Sequence, residues 1–98
     1  MAAARATLVV GAKSSGLSAA RLLRRLAERV FLTDDSGFPE QIPEGVEPVP
    51  ASDAARRLGD VQQIVVSPGI PAGHPLIRAA LARGVRVRSE LALAADHV

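Results

Sequence analysis

Three short runs hold the residue types that could do chemistry. The first is Gly11-Ala12-Lys13-Ser14-Ser15-Gly16, where an apolar run ends at one glycine and a helical pattern opens at another, five residues on. A helix N-terminus gathers free backbone N–H groups and the positive end of the helix dipole, so such a turn suits a phosphate or diphosphate. Ser14 and Ser15 add hydroxyls there, and Lys13 adds a positive charge. The second run is Asp34-Asp35-Ser36-Gly37. Asp34 stands 23 residues beyond Gly11, at the end of a second apolar run. An acid so placed commonly accepts hydrogen bonds from a nucleoside's ribose or base. The third run, Ser67-Pro68-Gly69-Ile70-Pro71, sets small, rigid backbone after another apolar stretch.

These residue types favour binding over catalysis. In the dinucleotide motif G-x-G-x-x-G the middle glycine lets a pyrophosphate approach the backbone, and here that position is Lys13. A Cβ and a long side chain disfavour NAD there while leaving a phosphate site intact. No Gly-Lys-Ser/Thr run follows at the P-loop spacing, so this stretch is a poor ATP site. Asp34 and Asp35 are adjacent, point to different sides of a strand end, and have no His or Lys neighbour in sequence for acid–base work. His74 and His97 lack a second ligand at a metal-site spacing, so neither a catalytic constellation nor a metal site is expected. Each residue also has a plainer reading. Lys13 could be a solvated loop tip, Asp34 a turn acid, Ser67-Pro68-Gly69 an ordinary strand-to-helix turn, His74 the opening of a helix, and His97 a frayed end.

The elements that must position these runs alternate. Residues 7–10, 30–33 and 61–66 read as strands buried on both faces, as in a parallel sheet, with a further strand at 85–87. Helical spacing is expected over residues 17–27, with Ser14 or Ser15 as its cap and the arginines at 21, 24 and 25 on a solvated face. Residues 38–50 carry four prolines and cannot hold a long helix. At most residues 46–49 form a short strand there, at a sheet edge because of Pro48. A short helix is expected at 52–58 with Ala51 or Ser52 near its cap. Another starts at His74-Pro75 and stops at Gly84, and a last one is capped by Ser89. The alternation predicts an α/β fold: a Rossmann-like, three-layer domain with a parallel sheet of about five strands. The loops after the strands then share one sheet edge, where ligands bind in such folds.

Composition narrows the function classes. At 98 residues the chain makes a single domain, residues 1–98, with a modest core. With 48% hydrophobic but 2% aromatic residues, that core must be built from Ala, Val, Leu and Ile. Eleven arginines and one lysine interleave with ten acids, for a net charge of +2. The lack of a dense basic run and of Trp or Tyr argues against nucleic-acid binding. No cysteine means no disulfide framework. No apolar run approaches the roughly 20 residues of a membrane span, and residues 1–5 lack the apolar core of a secretory signal. A cytoplasmic protein is the default.

The glycine turn through Ala20 resembles the N-terminal loop of the Mur ligases. Ser67-Pro68-Gly69-Ile70-Pro71, with His74-Pro75-Leu76, Gly84-Val85 and Glu90-Leu91, is similar to the D-glutamate-adding branch in particular. The resemblance spans nearly the whole chain. It implies the first domain of a longer, ATP-dependent, ADP-forming ligase of peptidoglycan synthesis that adds D-glutamate to UDP-N-acetylmuramoyl-L-alanine. In that family the first domain holds the UDP moiety, a central domain binds ATP and Mg2+, and a C-terminal domain binds the amino acid. The reaction runs through an acyl phosphate. ATP and Mg2+ are therefore expected of the full-length enzyme and of neither loop here, and this domain alone is not expected to catalyse.

Carried over by position, Ser14 and Ser15 would contact the diphosphate. Asp34, Asp35 and Ser36 would lie at the uracil and ribose end, and Gly69 would complete the pocket. With Lys13, Gly16, Ser67 and Pro68 these form the expected UDP-binding set. The family usually has glycine at the position of Lys13 and often a basic residue at that of Ser36. The competing expectation is an NAD(P)-binding Rossmann module of a dehydrogenase or a nucleotide-sensing regulator, which Lys13 disfavours.

Overall fold

The structure, a computed structural model, describes residues 5–26 and 28–96. Five strands form one sheet: β1 (Ala6–Val10), β2 (Arg29–Thr33), β3 (Val46–Pro48), β4 (Gln63–Val66) and β5 (Arg86–Ser89). Their spatial order is β3-β2-β1-β4-β5 and every pairing is parallel. Among the described residues four helices connect or follow them: α1 (Ser14–Arg25), α2 (Ala51–Arg57), α3 (Pro75–Ala82) and α4 (Glu90–Asp96). A 3₁₀ turn, Leu58–Asp60, leads from α2 toward β4.

The three-layer expectation holds because the buried strands alternate their side chains between two cores. Leu8, Val10, Phe31 and Ile64 face α2 and α3, where Ala54, Leu76, Ile77 and Ala80 pack on them. Val9, Val30, Leu32 and Val65 face the other way, onto Ala19, Ala20 and Leu23 of α1 and Leu93 of α4. With apolar partners on both sides, β1 needs no polar face, which is why its sequence reads as a continuous apolar run after Thr7. Small alanines at the helix contacts let the layers close without aromatic bulk.

Several boundaries differ from the sequence reading. Helix α1 begins at Ser14, three residues earlier than expected, and ends at Arg25; residue 27 lies outside the described residues, as does His97. Neither serine caps α1. Lys13 is the N-cap residue and makes no side-chain cap bond, so Ser14 and Ser15 fall inside the first turn. The N-cap of α2 is likewise Pro50 and not Ala51 or Ser52. Strand β4 starts at Gln63, and β5 runs one residue later at its start and two at its end than hydrophobicity suggested, because pairing with β4 sets its register. Strand β3 sits at the sheet edge, where the N–H that Pro48 lacks is not needed for a further ladder. Gly84 (φ +73°) follows α3 as its left-handed stop, and Ala92 N–H donates to Ser89 Oγ at 3.0 Å, capping α4. No helix among the described residues is long and apolar enough to cross a membrane.

Candidate functional site

Strand order reverses at β1: the chain passes to β2 and β3 on one side, then returns to β4 and β5 on the other. The loops leaving β1 and β4 therefore diverge, and a crevice opens between them. A cleft of about 370 Å³ lies there, walled by the loops after β1, β2 and β4. Gly11, Lys13 and Ser15 come from the first loop, Asp34, Asp35 and Ser36 from the second, and Ser67 and Gly69 from the third.

Close backbone approach builds the glycine turn. Gly11 (φ +114°) donates its N–H to Thr33 O at 2.8 Å, and a Cβ there would meet Ser67 Oγ at 2.5 Å. A Cβ on Gly16 would overlap the Gly11 carbonyl oxygen. Both glycines are thus demanded by packing, and Gly16 lies beneath the turn instead of on the cleft wall. Leu17 N–H closes the first turn of α1 onto Lys13 O at 2.9 Å. No acidic residue stands in that turn and no side chain caps it, so its leading amides have no side-chain acceptor from the cap. Lys13 and Ser14 are exposed and Ser15 is half-buried at the cleft. The Ser67 hydroxyl is buried under the turn with no hydrogen-bond partner.

The second loop divides the work of its two acids. Asp34 turns inward: Oδ2 accepts from Ala12 N–H at 2.6 Å and Oδ1 from Ser36 N–H at 2.7 Å. Its carboxylate ties the β2 loop to the glycine turn, a bracing role that the strand-end position alone did not reveal. Asp35 turns outward and is 63% exposed. The absence of a His near it in sequence proves irrelevant, because His74 Nε2 lies 2.7 Å from Asp35 Oδ2, 39 residues away. The other ring nitrogen, Nδ1, accepts from Leu76 N–H at 3.1 Å and so caps α3. With Nδ1 an acceptor, Nε2 carries the proton and donates to Asp35. His74 opens a helix as its sequence suggests, and it also fastens the β2 loop to α3.

Of the ten residues expected to line a UDP site, eight converge: Lys13, Ser15, Asp34, Asp35, Ser36, Ser67 and Gly69 in the main cleft, and Ser14 in an adjoining recess. Gly16 supports the turn from below, and Pro68 lines neither cavity. Sequence reasoning missed His74 as a wall of the cleft. Its proline neighbour signalled a helix start, but nothing local signalled its reach to Asp35. Among the described residues no group of three or more His, Cys, Asp or Glu could hold a metal ion.

Comparison with known proteins follows the same lines. A solved structure of UDP-D-quinovosamine 4-dehydrogenase from Vibrio fischeri superposes with a TM-score of 0.62 at 21% identity, over 89% of this chain and 78% of that one. At that identity the likeness is one of fold. The UDP-N-acetylmuramoylalanine–D-glutamate ligase of Anaeromyxobacter dehalogenans is 41% identical over 95 residues, covering 89% of this chain and 20% of the ligase. The enzyme of the same name from Desulfitobacterium hafniense is 39% identical over 99 residues, covering 92% of this chain and 21% of that enzyme. The chain thus spans about a fifth of the length of the curated relatives it matches. The model of the Mur ligase MurD-like N-terminal domain matches residues 5–89, the glycine turn, the Asp34 loop and the Ser67–Gly69 loop all within it, and the chain belongs to that family.

Proposed function

We propose that this domain holds the uridine diphosphate part of UDP-N-acetylmuramoyl-L-alanine for a longer ligase that joins D-glutamate to it with ATP. The observation that carries this reading is the open N-terminus of α1. Its first turn borders the crevice where three strand-end loops meet, and Lys13 and Ser15 stand there. A diphosphate satisfies the turn's amides and the dipole together, and the nucleoside end then extends toward Asp34, Asp35 and Ser36. The names of the relatives support the glutamate-adding reaction.

ATP and magnesium belong, on this reading, to the rest of the ligase. The glycine turn has no Gly-Lys-Ser/Thr run, and the described residues offer no metal-ligand cluster, so they do not fit either group. The domain's own contribution is to bind and orient. It anchors the substrate at its nucleotide end, which places the muramoyl-alanine carboxylate for activation elsewhere. Binding energy from such a remote, non-reacting part lowers the entropic cost of reaction at the far end. The domain acts on cytoplasmic nucleotide and needs no membrane span.

Calorimetric titration of the chain with UDP and with NADH tests the reading. Heat with UDP and none with NADH is expected, because Lys13 occupies the position where a dinucleotide's pyrophosphate needs glycine. Preferential heat with NADH would replace the ligase reading with a dehydrogenase-type module.

A further inference from the structure

The chain has two aromatic residues, both phenylalanines, and they are used in opposite ways. Phe31 is fully buried in the sheet beneath the guanidinium groups of Arg29 and Arg57, 4.8 and 5.2 Å from its ring centre. Phe38 is 37% exposed, just beyond Gly37 (φ +104°) in the β2 loop. Phe38 is thus the one aromatic ring among the described residues that reaches the surface.

Phe38 borders a second recess of about 420 Å³, on the outer side of the phosphate-type turn. Leu17, Phe38 and Pro39 make its walls apolar, while Ser14 and Ser36 add hydroxyls. Lys13, Asp34 and Ser36 border this recess and the main cleft alike, so the two cavities adjoin across that ridge. A ligand whose anionic part meets the amides of α1 and that reaches across this ridge lays a flat, uncharged part beside Phe38. A nucleobase has this shape and chemistry: an aromatic face for the ring and polar edges for the hydroxyls.

We propose that Phe38 is the stacking platform for the uracil ring, and so a specificity-determining residue of the nucleotide site. The proposal rests on the uridine-diphosphate reading above. One face of the base lies on the Phe38 ring, and its edge meets the Ser36 and Ser14 side of the recess.

Because the protein has no Trp or Tyr, Phe38→Trp introduces a single strong fluorophore at the position in question. Saturating UDP is expected to quench that fluorescence. Inorganic pyrophosphate and ribose 5-phosphate, which carry no base, are expected to leave it unchanged. By calorimetry, Phe38→Leu should weaken UDP on the order of tenfold while leaving pyrophosphate affinity as it was, and Phe38→Tyr should restore UDP binding. Phe38 is on the surface, so circular dichroism should show all three variants folded. UDP heat with an unquenched indole signal in Phe38→Trp and full affinity in Phe38→Leu would overturn the platform and leave the nucleotide reading standing. Absence of UDP heat in the unsubstituted protein would overturn both.

Discussion

At the residue scale, the site is a division of labour among side chains that look alike in sequence. Asp34 and Asp35 are neighbours of one type, yet Asp34 is consumed by two backbone N–H groups while Asp35 faces solvent and is held by His74. Lys13 and Ser15 reach the main cleft with side chains that do not cap α1, so they are the pair that tests the proposed diphosphate contact. Lys13→Ala combined with Ser15→Ala is expected to weaken UDP roughly a hundredfold or more, since charge-assisted bonds contribute about 1.5–3 kcal/mol each. Both side chains are outside the cores, so the midpoint of thermal unfolding should move little. Unchanged affinity in this double variant would place the diphosphate elsewhere.

At the element scale, α1 is the part on which the site depends, and its position is set by how closely its first turn presses on β1. Gly16 sits against the Gly11 carbonyl with no space for a methyl group. Gly16→Ala must therefore push α1 off the sheet, at a cost of about 3 kcal/mol or more, readable as a lowered urea midpoint. Gly69 is the control. A Cβ there meets nothing within 4 Å and its backbone is ordinary, so Gly69→Ala should stay within about 0.5 kcal/mol of the parent. Any effect of that change on UDP titration then reports ligand contact and not folding. Gly16, in the first turn of α1, and Gly69, in the loop after β4, thus answer to different constraints.

At the scale of the whole molecule, a buried polar cluster and the candidate cleft occupy opposite ends of the sheet. Toward the starts of the strands, Thr7 Oγ1 donates to Glu28 Oε1 at 2.8 Å and accepts from Gln63 Nε2 at 3.0 Å. All three residues are buried, so this polar knot joins β1, β4 and the approach to β2 within the interior. Thr7→Val keeps the volume but strips both bonds and leaves a buried carboxyl and amide unpaired. A loss of about 3 kcal/mol in unfolding free energy is expected by urea titration. UDP affinity of the folded fraction should not change, because the cleft lies at the strands' other ends.

The first strand, its glycine turn and the helix after it, though not their exact ends, were legible because each follows from local chemistry, as were the alternation of elements, the edge position of Pro48 and the three loops after the strands. An apolar run needs two covered faces, proline lacks an N–H, and a left-handed turn wants glycine. Family membership was legible in the same local way, through runs such as Ser67-Pro68-Gly69. What the chain order could not express were contacts between distant residues. The bond from His74 to Asp35, the bracing of Ala12 by Asp34, the burial of Ser67 under Gly11 and the recess beside Phe38 each exist only once the sheet brings separate loops to one edge. Side-chain type and backbone propensity are properties of a few adjacent residues, and sequence records them directly. Which polar group spends its hydrogen bonds on the fold, and which keeps them for a ligand, depends on neighbours that only the packed sheet supplies.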